Sequence, residues 1–460
     1  MNLYTKRLPD IISDNTWTVI KKLSWPLIIT MLFNSLSTMI DTYVAGQVSS
    51  VLQSALGFNS QIMMIIFTSA MMIGIGNTAL ISQNIGAKNY EEAIKIAKQS
   101  VMLVFFIGIC VVIPFFFFSD DVIKLVGAKD DVILTGYIML KIVSFGLIQL
   151  MLSQILSSIF RAKGDMYPIL LTAGIGFLFT VCIDFTLVLG WGGFPKLGIT
   201  GIAISQVSAS TVNMFILFFI LKKSDLKEIL NPPWKPSLYY FKKILAIGLP
   251  AAVQNFIRIM GSMFFFSILA GLKDGTQAIA ALSVGLRIES LAFMPLFALT
   301  MVTSTVVGQN IGAKQFDRVR KLVREVVFTG LLIIAVMSTF FYFFAYPVCD
   351  FFSKDPLVQE YSAEYLQVIS FCLPFFAISQ IIIGSMQGAG YTIYPMLMTI
   401  LHMWIIRIPI AYIFIALLNT GPIGAWLAMS ISTIIQSIFF VVKFQSPDWM
   451  TAKSKDITPK

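Results

Sequence analysis

The chain has 460 residues, of which 57% are apolar and 12% charged, with a mean hydropathy of +0.83. A soluble domain carries about 25% charged residues, so this composition excludes a protein wetted on all sides. The net charge of +10 does not mark a nucleic-acid partner, because the Lys and Arg residues stand in short clusters between apolar runs, as membrane topology requires.

A span needs about 20 mostly apolar residues to cross a hydrocarbon layer about 30 Å thick. In chain order the sequence predicts spans at 20–45, 54–82, 99–118, 133–160, 167–190, 199–221, 244–270, 277–307, 326–352, 362–386, 394–418 and 423–445. Charged or Gly/Pro-rich breaks separate them, among them Asp130-Asp131, Arg161 to Asp165, Trp191-Gly192-Gly193 and Thr420-Gly421-Pro422. Residues 1–16 are polar, and the first apolar run is interrupted on its way to Asp41, so no cleavable signal peptide is expected. Cys110, Cys182, Cys349 and Cys372 lie in apolar stretches without metal-ligand spacing and read as core thiols.

With a cytoplasmic N-terminus, the inner segments hold most of the 33 Lys and Arg residues. The outer loops hold only Lys124, Lys129, Lys196, Lys273 and Lys354. This bias places both termini in the cytoplasm of a plasma-membrane protein.

The chain repeats itself. Gln83-Asn84-Ile85-Gly86-Ala87-Lys88 recurs as Gln309-Asn310-Ile311-Gly312-Ala313-Lys314 at an offset of 226, and Tyr167-Pro168 recurs as Tyr394-Pro395 at 227. Lys21-Lys22 with Pro26 recurs as Lys242-Lys243 with Pro250. Six spans separate each pair, so the halves face the same way. The fold class is all-α: a polytopic protein of twelve helices in two six-helix lobes, 1–221 and 244–460, about an axis along the membrane normal. Residues 222–243, with Pro232, Pro233 and Pro236, form the linker. Duplicated lobes of this kind suit a carrier that rocks around a shared site.

Ionisable groups inside a bilayer are costly and mark function. Asn34, Ser37, Thr38 and Asp41 are spaced i, i+3, i+4, i+7 and form one polar stripe on the first span. Thr180 and Asp184 share a face of the fifth. At 1.5 Å per residue, Asp41 lies about 28 Å above Lys22 and Asp184 about 26 Å above the start of its span. If the two spans pack together, the carboxylates share a pocket. Two close, desolvated carboxylates do not easily both ionise; such a pair binds a proton near neutral pH or coordinates a small cation. The alternative is that each is a structural hydrogen-bonding group or lies at the outer interface. Lys141 is either their partner or snorkels outward. Gln61 and Gln154 join Asn34, Ser37 and Thr38 as candidate substrate-cavity residues. Pro26 removes a backbone hydrogen bond and is a candidate hinge of the first helix.

In the second half, Arg258, Glu289 and Arg407 fall near mid-membrane and are expected to form a polar cluster, structural or part of a substrate path. Arg287 and His402 also fall within spans, with no role assigned to the histidine. No HExxH, GxSxG or Walker A motif occurs, so neither an enzyme nor ATP as energy source is expected.

The repeated Gln-Asn-Ile-Gly-Ala-Lys, the Met39-Ile40-Asp41-Thr42-Tyr43-Val44-Ala45-Gly46 stretch, Phe160-Arg161-Ala162-Lys163-Gly164-Asp165 and Gly388-Ala389-Gly390-Tyr391-Thr392 resemble the multidrug and toxic compound extrusion (MATE) family over about 20–445. That resemblance implies two six-helix lobes with a V-shaped central cavity and export of organic, often cationic compounds in exchange for H+ or Na+. The sequence is most similar to the DinF-like prokaryotic branch, whose first-lobe acidic pair is matched by Asp41 and Asp184. Another branch carries a carboxylate on helix 7, where this chain has Arg258, and the family often has Asn where this chain has Thr180.

The expectation is therefore an H+-coupled exporter of small amphipathic or cationic compounds, with Na+ as the less favoured ion. It needs no cofactor beyond that ion and no partners beyond substrate and lipid, and it works as a monomer. The competing expectation is a flippase for a polyprenyl-linked lipid, which would gather Arg258, Arg287 and Arg407 around a pyrophosphate head.

Overall fold

The computed structural model describes residues 9–119 and 130–451; Lys124 and Lys129 of the orientation argument lie outside them. Among the described residues, twelve helices are long and apolar enough to cross a membrane, one for each predicted span. They are α1 (Thr16–Val48), α2 (Ser50–Gly86), α3 (Tyr90–Phe117), α4 (Asp130–Lys163), α5 (Tyr167–Ile183), α6 (Ile199–Lys223), α7 (Leu238–Ala270), α8 (Gly275–Gly312), α9 (Phe316–Phe343), α10 (Pro356–Gly388), α11 (from Ile393–Ile400 through π-helical turns to Leu417) and α12 (Pro422–Gln445). Several outrun the predicted spans. α8 continues through Gly308-Gln309-Asn310, polar residues that stay helical but that hydropathy assigns to a loop.

The repeated motif is a helix stop. Lys88 and Lys314 both adopt φ of 59°, a left-handed conformation uncommon outside glycine. The next N–H then reaches back to the motif asparagine: Asn89 N donates to Asn84 O and Gln315 N to Asn310 O, each at 2.8 Å. This closes the orphan carbonyls of a helix end. Gly164 and Gly390 end α4 and α10 in the same way, with φ of 86° and 75°. Ser49, Asn89 and Asp355 cap the starts of α2, α3 and α10, each side chain accepting from a first-turn N–H.

The chain forms two compact units. One is Lys21–Gly248; the other joins Asp10–Ile20 to everything from Leu249 onward. The division thus falls at Gly248 rather than inside the predicted linker, and the physical reason is contact. The first turns of α7 pack within the first unit: Tyr240 Oη donates to Glu92 at 3.0 Å, and a Cβ on Gly248 would stand 2.0 Å from the Met72 carbonyl oxygen. Reciprocally, the chain before α1 and the first turn of α1 are held in the second unit. Arg318 donates to the carbonyls of Ile11 (3.1 Å) and Asp14, and Trp17 meets the edge of Phe328. Glu92 and Arg318 are themselves 226 residues apart, so the two clasps occupy equivalent places in the repeat.

The core of the first unit joins α1, α2, α4 and α6 through Val44, Ile66, Leu147 and Ile202, among others. That of the second joins α8, α9, α10 and α12 through Leu296, Ile334, Leu373 and Trp426. Other large rings stay outside: Phe117 and Phe343 are each 72% exposed. Bare apolar surface of this kind suits lipid and not water, and this is a multi-pass membrane protein.

Candidate acid-pair cavity

The polar stripe of α1 opens onto a cavity of about 450 Å³ inside the first unit. Asn34, Ser37, Thr38 and Asp41 line it from α1, Asn59 and Ser60 from α2, Thr180 from α5, and Gln206, Ser210 and Asn213 from α6. Apolar walls come from Met63, Met139 and Phe177. Two glycines let the helices close around it. A Cβ on Gly176 would sit 2.9 Å from the Asn213 amide, and one on Gly146 would sit 2.8 Å from Val207.

Asp41 and Asp184 do meet. Their carboxyl groups lie within hydrogen-bonding reach of each other, with Asp41 8% and Asp184 0% exposed. Asp184 stands behind the cavity wall, at the point where α5 passes into the π-helical turn Asp184–Val188. Such a bulge rotates the following residues relative to a regular helix. Gln206 Nε2 donates to Asp41 Oδ2 at 3.0 Å, and Ser205 lies beside Asp184. Asp41 Oδ1 and both Asp184 oxygens have no protein donor among the described residues. Lys141 does not pair with them; it is exposed, with its ammonium over the Phe116 ring.

Two carboxylates are acceptors only, so a bond between them needs a proton or a cation. Thr180, one turn before Asp184, lines the cavity and accepts the Asp184 N–H on its carbonyl. Pro26 lies inside α1, and Thr30 Oγ1 donates to its carbonyl at 2.8 Å. A hydroxyl bonded to the i−4 carbonyl bends helices.

Other predicted positions fall elsewhere. Gln61 is exposed and Gln154 half-buried, and neither lines the cavity. Gln61 is two residues past Asn59, hence about 200° round the helix from it. The expected cluster of Arg258, Glu289 and Arg407 is only partly formed. Arg258 is exposed and bonds Asn255 on its own helix. Glu289 accepts from Tyr365 Oη at 2.6 Å. Arg407 is bonded to Ser432 Oγ (3.0 Å), His402 Nε2 (2.9 Å) and Thr433 Oγ1 (3.2 Å).

Gln206, Ser210 and Asn213 were missed in the sequence, yet they obey the i, i+4, i+7 rule that exposes the α1 stripe. The same test on the sixth span finds them.

The MatE family model matches residues 26–186 and 250–413. The chain is 27% identical over 433 residues to a probable multidrug resistance protein NorM of Thermotoga maritima, covering 93% of this chain and 92% of the other. It is 26% identical over 443 residues to an uncharacterized transporter YisQ of Bacillus subtilis, covering 95% and 96%. A solved structure of a multidrug resistance MATE family transporter of the MOP superfamily, in an outward-facing conformation, superposes with a TM-score of 0.89. It is 20% identical and covers 99% of this chain and 100% of that one; a likeness at that identity bears on the fold alone.

Proposed function

Because this chain belongs to the MatE family, a family of membrane transporters, we propose that it exports small amphipathic or cationic organic compounds in exchange for protons. Relatives named for multidrug resistance support the substrate class. The observation that carries the coupling reading is the Asp41–Asp184 contact: two adjoining carboxyls with three oxygens lacking donors. One proton shared between the carboxyls engages two of these oxygens, and the Ser205 hydroxyl stands beside Asp184. Na+ fits less well, since the nearest amide, Gln206, turns its N–H and not its oxygen toward Asp41.

The cavity supports a cation as cargo. Among the described residues, no Lys or Arg lines it, and the one charged lining group is Asp41. A lipid pyrophosphate would meet the wrong charge there, which favours the exporter over the flippase. In the cycle we propose, protonation of the pair allows it to close and releases cargo from the cavity; proton loss reopens it. α1 carries the stripe, so it is the element that moves, bending at Pro26. The Lys and Arg bias supports cytoplasmic termini in a plasma membrane.

The test uses the full chain in proteoliposomes under an imposed pH gradient, with a fluorescent organic cation as cargo. Exchange is expected in the parent and lost in Asp41→Asn. A Na+ gradient that drives exchange at constant pH would overturn proton coupling. Full exchange by both Asp41→Asn and Asp184→Asn would reduce the pair to a structural role.

A further inference from the structure

The second unit holds a cavity of its own, of about 670 Å³, at the ends of α7 and α11 and the start of α10. The repeat explains its position. Phe264, Ser267 and Ile268 on its wall stand 226 residues after Thr38, Asp41 and Thr42, which line the cavity of the first unit. The same face of each unit's first helix therefore lines a cavity, and where the first unit has Asp41 the second has Ser267.

The chemistry of the wall has changed with it. Hydroxyls and amides give way to three rings, Phe264, Tyr361 and Tyr412. Phe264 and Tyr412 are 50% and 57% exposed; Phe264 also packs against Trp404, with ring centroids 5.0 Å apart. One carboxylate, Asp274, stands among them, half-buried. It accepts one long hydrogen bond, from Tyr361 Oη at 3.5 Å. None of the ion pairs among the described residues involves it or its exposed neighbour Lys273.

We propose that this cavity is a second binding site, and that it takes a bulky lipophilic cation. Rings attract a cation through their faces without needing an N–H from it. Asp274, in none of the ion pairs among the described residues, adds the compensating charge, and the volume falls within the range of small-molecule pockets, about 300–1,000 Å³. The site has no carboxylate at the Asp41 position, and Asp274 is the single carboxylate among its lining residues, so no acid pair lines it. The inference does not depend on proton coupling in the first unit.

The experiment is equilibrium binding of tetraphenylphosphonium to the full-length protein in nanodiscs, on an Asp41→Asn background that mutes the first cavity. Asp274→Asn and Tyr412→Leu are each expected to weaken binding about tenfold, equivalent to about 1.4 kcal/mol. Lys273→Gln is expected to tighten it, because it removes a like charge. Melting curves identify any variant that fails to fold, and Tyr412→Leu stands in if Asp274→Asn is one. Parent-like affinity in both would overturn the proposal. So would weaker binding in Lys273→Gln together with loss of co-purified phospholipid, which would assign the cavity to a lipid headgroup held by Lys273.

Discussion

Asp184→Asn isolates the acid pair more cleanly than any deletion. Asp184 has no exposed surface and adjoins Asp41, whose Oδ1 lacks a donor. The amide of Asn is the same size as the carboxyl, so no cavity opens. It can turn an N–H toward Asp41 Oδ1 and supply permanently the bond that a shared proton supplies only part of the time. A hydrogen bond to a charged group contributes roughly 1.5–3 kcal/mol, or about 10- to 150-fold in an equilibrium. The variant is therefore expected to hold the closed arrangement of the pair and to slow cation–proton exchange by about that factor. Its melting temperature should equal or exceed the parent's. Exchange in proteoliposomes and a thermal melt in detergent measure the two effects. Exchange at the parent rate, or a clear loss of stability, would refute the reasoning, since either would mean that Asp41 gains nothing from a fixed donor.

Pro26→Ala restores the missing N–H of α1 and should slow exchange while proton uptake by the protein persists; parent-rate exchange would leave rigid motion of α1 as the mechanism. Arg318→Met removes the donors to the Ile11 and Asp14 carbonyls, at roughly 1.5–3 kcal/mol for each charged bond. Amide exchange over residues 10–20 should then rise about tenfold or more, and an unchanged rate would mean that Trp17 and the packing suffice to hold the segment. Burial pushes the Asp165 carboxyl, between α4 and α5, above its ordinary value, although Lys163 opposes the shift. The native state then binds more protons than the unfolded chain between the two values, so this group's stability contribution falls as pH rises through that window. Asp165→Asn should raise the melting temperature at pH 7 and lose that advantage near pH 4; a lower melting temperature at pH 7 would contradict the sign.

The twelve spans and the repeat were legible because hydropathy and exact motif recurrence survive without knowledge of contacts. The stripe Asn34-Ser37-Thr38-Asp41 was legible for the same reason: a helix period places its members on one face. Asp184 required more. Its depth was open to estimation by the helical rise, but its contact with Asp41 depends on the packing of α5 against α1 and on the π-helical turn that begins at Asp184, which no spacing rule reports. Gln61 lies off this cavity, because a polar residue in a span has no direction until its helix is set against its neighbours. Arg258 failed similarly, since depth alone placed it with Glu289 and Arg407. The unit boundary at Gly248 was hidden because the start of α7 is held by residues such as Met72 and Glu92, far away in sequence.

In the proposed cycle, exchange belongs to one half of the molecule, and the repeat supports that assignment. On the first helix the offset of 226 replaces Asp41 with Ser267; on the fifth, the offset of 227 replaces Asp184 with Ala411 and Thr180 with Arg407. Both acids are gone, and Ala411 is fully buried. The guanidinium of Arg407 is engaged by His402, Ser432 and Thr433, placing a fixed positive charge where the first unit has a neutral threonine. Glu289 does not rebuild the pair, because its carboxylate is taken up by Tyr365 and lies on α8, a different helix from either lost acid. A duplicated scaffold can keep one geometry while its halves diverge in charge. Here the divergence leaves an acid pair and hydroxyl-lined cavity in the first unit, and in the second an aromatic cavity and, on other residues, a locked arginine.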